Sequence, residues 1–122
     1  MHLIMTHMCG PRDGEALVVE AAGAPPEVTF GRQLTCTVSL PDDPDVSRRH
    51  ARLIWRDMDW WLEDSGSRNG TFVNEFEKQQ KVSGPIRIEA GSVFRVGLSR
   101  FRFESPEVLN KARTLLRTER VG

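Results

Sequence analysis

A single all-β domain, a sandwich of short and mainly antiparallel strands, is the fold class this sequence predicts. Ten short runs rich in β-branched and aromatic residues follow one another, with clusters of Gly, Pro, Asp and Asn between them. The last two runs alternate apolar and basic side chains, the period-two pattern of a strand with one face inside and one in water. The chain has 122 residues, 39% hydrophobic and 28% charged, which suits one domain with a self-sufficient core.

The first run, His2 to Met8, ends at the breaker Gly10-Pro11-Arg12-Asp13-Gly14, and Glu15 to Glu20 follows it. A second breaker, Gly23-Ala24-Pro25-Pro26, precedes two β-branched runs, Val28 to Phe30 and Cys36 to Leu40. Pro41-Asp42-Asp43-Pro44-Asp45 reads as a rigid, solvated acidic turn rather than a cation site. Ala51 to Trp55 and Trp60 to Asp64 flank Arg56-Asp57-Met58-Asp59, the connection of a hairpin. Trp55, Trp60 and Trp61 surround that hairpin, where core or cross-strand packing accounts for at least two of them. Thr71 to Val73, Ile86 to Ile88, Val93 to Val96 and Phe101 to Phe103 complete the set. The tail differs. Ser105-Pro106-Glu107 supplies a hydroxyl cap, a proline at the first helical position and an acid in the first turn. Val108, Leu109, Ala112, Leu115 and Leu116 then share one face, so a helical tail is expected over 105–122 behind a domain over 1–104.

Lys and Arg together number 17, as do Asp and Glu. Net charge therefore gives no pull toward nucleic acid or a membrane surface, and any electrostatic role must come from local arrangement. No run is long enough for a membrane helix, and the N-terminus lacks the features of a secretory signal, so a cytoplasmic location is expected. Cys9 and Cys36 are too few for a disulfide framework and read as small buried hydrophobes. His2, His7 and Cys9 match no structural zinc spacing, so neither a metal nor another cofactor is expected.

The chemistry lies in three segments: Phe30-Gly31-Arg32, Val46-Ser47-Arg48-Arg49-His50-Ala51 and Ser67-Arg68-Asn69-Gly70-Thr71. They supply arginines, a hydroxyl and a primary amide, each beside a glycine or a turn-former. A phosphothreonine brings up to two negative charges and three strong acceptor oxygens. Holding it takes a fixed cation of fork geometry, short supplementary donors and loops that approach closely. Arg32 suits the fork, Ser47 is a compact donor with Arg48 beside it, and Asn69 both donates and accepts, as reading a peptide main chain requires.

In order and in spacing these segments resemble the forkhead-associated (FHA) domain, a family of phospho-motif readers. The likeness runs from about His2 to Phe103. It implies an eleven-stranded β-sandwich whose loops at one end bind a threonine-phosphorylated peptide or protein. By that analogy Arg32 and Ser47 bind phosphate, Arg48 and Arg68 add phosphate or backbone contacts, and Asn69 holds the peptide main chain. Gly31, His50 and Gly70 match positions that shape the loops. One departure is Gly91-Ser92, where the family usually has Gly-Asp.

Other readings carry less. Ser47 and His50 lack the orienting third group that a nucleophile and its base need, so no catalysis is expected. A phosphate-independent scaffold of the same fold is the alternative, weakened by the joint presence of Arg32, Ser47 and Asn69. Arg49 and Arg52 are expected to face solvent. Asp43 and Asp45 are expected beside the path of the peptide after the phosphothreonine, disfavouring acidic side chains there.

Overall fold

The computed structural model describes residues 1–8, 13–75 and 78–104. Its eleven strands are β1 (His2–His7), β2 (Ala16–Glu20), β3 (Glu27–Gly31), β4 (Val38–Ser39), β5 (Ala51–Arg56), β6 (Asp59–Asp64), β7 (Thr71–Glu75), β8 (Lys78–Lys81), β9 (Ile86–Ile88), β10 (Val93–Val96) and β11 (Ser99–Phe103). They form two sheets, ordered β2-β1-β11-β10-β7-β8 and β4-β3-β5-β6-β9. Every pairing between strands is antiparallel except that of β3 with β4. The expected helix over 105–122 and Cys9 lie outside the described residues.

Alternation dictates which face of each strand turns inward. On β10 and β11, Phe94, Val96, Phe101 and Phe103 are buried while Arg95, Arg100 and Arg102 face out. Phe30 from the second sheet meets Phe94 edge-on at 5.5 Å and Phe101 at 5.5 Å, and all three rings are wholly buried. This aromatic cluster fastens the sheets together just beneath the end where the three motif-bearing loops emerge. Each ring contributes a few kcal/mol of burial, with a smaller directional term from the ring contacts.

Two departures from the expected strands have physical causes. Cys36 to Leu40 contracts to Val38–Ser39, because the Cys36 N–H turns back to the Gln33 carbonyl and closes a tight turn first. The unforeseen strand β8 is Lys-Gln-Gln-Lys with every side chain exposed, so hydrophobic periodicity has nothing to register there. It is made by pairing with β7, and its lysines discourage further strand addition at that edge.

Arg56 pairs with Asp59, leaving Asp57-Met58 as a two-residue turn with φ of 53° and 65°. That is the primed geometry which matches strand twist, although Met58 lacks the glycine that usually occupies such a position. Trp60 is buried, with Trp55 packed 5.4 Å away, whereas Trp61 lies on the outer face beneath the Arg56 guanidinium. Cys36 is a buried free thiol, as expected. Asp43 is not solvated. Its carboxylate is buried and accepts from the Asp45 and Leu98 N–H groups and the Ser99 hydroxyl, fastening the β4–β5 loop to the β10–β11 turn.

Candidate functional site

The segment Asp45–Arg48 is the hub to which two other loops are tied. On one side, Arg32 N–H donates to the Ser47 carbonyl at 3.0 Å and Gln33 N–H to the Arg48 carbonyl at 3.3 Å. On the other, Arg68 N–H donates to the Ser47 hydroxyl oxygen at 3.0 Å, and the Asn69 amide donates to the Asp45 carbonyl at 3.0 Å. Arg32, Ser47, Arg68 and Asn69 consequently border one open cleft, with Pro44–Val46 forming its remaining wall. Arg32, Arg68 and Asn69 are exposed and Ser47 is half-buried.

His50 sits under the cleft, wholly buried, and joins two of its loops through main-chain groups. Its Nδ1 accepts from the Ser47 N–H at 3.0 Å, so Nε2 carries the proton and donates to the Gly70 carbonyl at 2.8 Å. The imidazole thus faces main chain on both sides, while the Ser47 hydroxyl is turned toward Arg68. Ser47 accepts there and keeps its own hydrogen for a ligand. Asn69 commits one N–H to the loop and keeps its oxygen and second N–H for a peptide main chain.

Sequence reasoning overlooked Asp64. This residue ends β6 and receives the N–H groups of Gly66 and Ser67 together with the hydroxyls of Ser67 and Thr71. The Ser67 hydroxyl in turn accepts from the Gly70 N–H, and Gly70 adopts φ +85°, a left-handed conformation that side chains rarely take. The signal was present in Asp64-Ser65-Gly66-Ser67, the pattern of a carboxylate gripping the turn that follows it. Burial pushes the Asp64 carboxyl up, but the Ser67 and Thr71 hydroxyls and the Ser67 and Gly66 N–H groups outweigh it, leaving the carboxyl below its ordinary 3.8. A depressed carboxylate stabilises the fold above its unfolded pKa and loses that contribution as pH falls through its folded value. Asp64→Asn is therefore expected to lower the urea midpoint near pH 7, with its gap from the parent narrowing in acid. A gap independent of pH would refute the role given to this charge.

The remaining arginines divide. Arg48 is exposed at the hub but does not line the cleft, where its contribution is the carbonyl that receives Gln33. Arg49 is exposed beside a second concavity on the outer face of the five-stranded sheet. Arg52, expected in solvent, is held by Glu63 at 2.7 Å and Glu27 at 3.6 Å. Of the two acids expected beside a peptide path, Asp45 lines the cleft, whereas Asp43 points inward and is occupied by the β10–β11 turn. At Gly91-Ser92 the serine hydroxyl accepts from the Glu89 N–H at 3.1 Å, a turn-closing bond that a carboxylate is equally able to make.

The family model of the FHA domain matches residues 28–97, more than half of the chain and all three motif-bearing loops. The chain belongs to the FHA domain family. FHA domain-containing protein FhaB of Mycobacterium tuberculosis is 40% identical over 70 residues, 57% of this chain and 42% of that protein. The chain thus spans less than half the length of that relative. A solved FHA domain from a study of phosphothreonine-dependent interactions superposes with a TM-score of 0.66 at 25% identity, over 86% of this chain and 97% of that one. The N-terminal FHA domain of S. cerevisiae Rad53p, solved with a phosphothreonine peptide, reaches 0.71 over 92% and 99% of the two chains, and at 16% identity it shows the shared fold.

Proposed function

We propose that this FHA domain binds a threonine-phosphorylated segment of a partner protein in the cleft between Arg32 and Asn69. The observation that carries the reading is the convergence of an exposed guanidinium in no ion pair with a described residue, a serine hydroxyl with a hydrogen to give and a half-committed amide on one rim. Arg32 supplies the charged fork to the phosphate and Ser47 a short second donor, with Arg68 and Arg48 flanking them. Asn69 presents its carbonyl oxygen and remaining N–H to the peptide main chain. The hydrogen-bonded loops need little ordering on binding, which favours affinity. The phosphothreonine peptide in the Rad53p structure and the phosphothreonine-dependent interactions of the other solved domain support this assignment.

The module acts by recognition alone. His50 is engaged by main chain at both nitrogens, so it does not serve Ser47 as a base. Residues 1–104 constitute the reader and 105–122 a separate tail, and a cytoplasmic setting suits both kinase control and the free Cys36 thiol. Calorimetry with a phosphothreonine peptide library and its unphosphorylated copy tests the reading. Micromolar binding of phosphorylated members is expected, falling by roughly a hundredfold or more without phosphate, since each charge-assisted hydrogen bond contributes about 1.5–3 kcal/mol. Equal binding of both libraries would favour a phosphate-independent scaffold instead.

A further inference from the structure

The positive side chains of the described residues are not shared evenly between the two sheets. On the five-stranded sheet and its turns, Arg52, Arg56 and Arg87 are ion-paired with neighbouring acids. On the six-stranded sheet Arg102 pairs with Glu104 and His2 lies against Glu20, but its β8 side contrasts with this. Lys81 stands opposite Phe72, Phe72 opposite Arg95, and Arg95 opposite Arg100, so one cross-strand row over β8, β7, β10 and β11 holds three cations and an aromatic ring. None of the three cations forms an ion pair with a described residue. Glu104, an acid on the same side, is already held by Arg102 and by the Thr6 hydroxyl.

The row is also rigid and joined to the cleft. The Arg95 guanidinium lies 4.4 Å from the Phe72 ring centre and donates to the Gly97 carbonyl at 2.8 Å, so it is fixed in place. Lys81 and Phe72 lie directly against Gly70, the neighbour of Asn69, where an added Cβ would stand 3.0 Å from Lys81 Cε. The cations thus run from the rim of the cleft down the flank of the sheet, about 15 Å across four strands at the usual cross-strand spacing. An evenly solvated surface would intersperse acids among them, as the other sheet does.

We propose that this row is an auxiliary binding surface for an acidic stretch of the same phosphorylated partner, engaged alongside the phosphothreonine. The proposal rests on the cleft being the phosphopeptide site. Acidic side chains complement a row of unpaired cations, and each exposed pair adds a modest, salt-sensitive increment to affinity. Coupling to the cleft by one continuous chain makes those increments act at high local concentration.

The test compares one phosphothreonine peptide carrying an oligoglutamate extension with the same peptide carrying oligoglutamine, the extension placed before or after the phosphothreonine. Binding is measured for the parent and for Lys81→Gln/Arg100→Gln, both positions being exposed and in no ion pair with a described residue. At about 0.05 M salt the parent is expected to prefer the acidic version roughly tenfold, and at about 0.5 M to lose most of that preference. In the double variant the preference falls below about twofold while affinity for the glutamine version is unchanged, and Lys81→Glu/Arg100→Glu reverses it. A preference that survives in the double variant, or that is missing from the parent with the extension on either side, would overturn the proposal. So would an absence of peptide preference combined with vesicle or oligonucleotide binding lost in that variant, which would give the row another partner. Failure of both peptides to bind at all would instead sink the phosphopeptide reading beneath it.

Discussion

Arg32→Ala is expected to weaken phosphothreonine-peptide binding by at least about a hundredfold, because a dianion loses two parallel charge-assisted hydrogen bonds at once. Stability should be nearly unchanged. The Arg32 side chain is exposed and makes no ion pair with a described residue, and its structural contribution is the main-chain N–H donated to Ser47, which alanine retains. Arg32→Lys separates charge from geometry: it keeps the positive charge without the planar fork, so it should recover only part of the loss. Ser47→Ala is a different experiment, since that hydroxyl both serves the phosphate and accepts the Arg68 N–H. It should weaken binding and also loosen the β6–β7 loop. Calorimetry alongside urea unfolding separates the two consequences. If Arg32→Ala binds as tightly as the parent, the phosphate does not sit against this guanidinium and the reading of the cleft fails.

Gly31→Ala is expected to cost about 3 kcal/mol of stability, a large share of what holds a domain of this size together. A Cβ at this position would lie 2.1 Å from the Arg48 carbonyl oxygen and 2.9 Å from the Cys36 sulfur. The first obstacle is backbone and cannot swing aside. Relief requires β3 to part from the Asp45–Arg48 hub, which breaks the bonds from Arg32 and Gln33 and moves Arg32 away from Ser47. Binding should therefore fall with stability, although residue 31 carries no side chain to touch a ligand. Gly84→Ala is the control, since nothing lies within 4 Å of a Cβ there and the backbone is not left-handed. Its urea midpoint should match the parent's or rise slightly, because alanine narrows the unfolded ensemble. Equal midpoints for both variants would show that close approach at Gly31 is not what sets the hub.

Local pattern alone determined the strands whose alternation buries one face, together with the turns that glycine and proline enforce. Phe94 to Val96 and Phe101 to Phe103 announce their inward faces through period two, and Asp57-Met58 stands where two apolar runs must reverse. The residues of the cleft were equally legible, because arginine, serine and asparagine beside turn-formers carry their chemistry with them. Tertiary structure decided the rest. Strand β8 exists through its hydrogen bonds to β7, a partner its own polar side chains do not reveal. Asp43 has the appearance of a solvated loop acid in the sequence, and only folding turned it into a clamp, by bringing it the Leu98 and Ser99 donors; Asp64 differs, because its Gly66 and Ser67 donors lie two and three residues on and were legible locally. The row of Lys81, Arg95 and Arg100 is likewise scattered over three strands until cross-strand register aligns it. The reason is common to all of these: a residue's type sets what it is able to bind, whereas long-range pairing sets which donors, acceptors and charges stand within its reach.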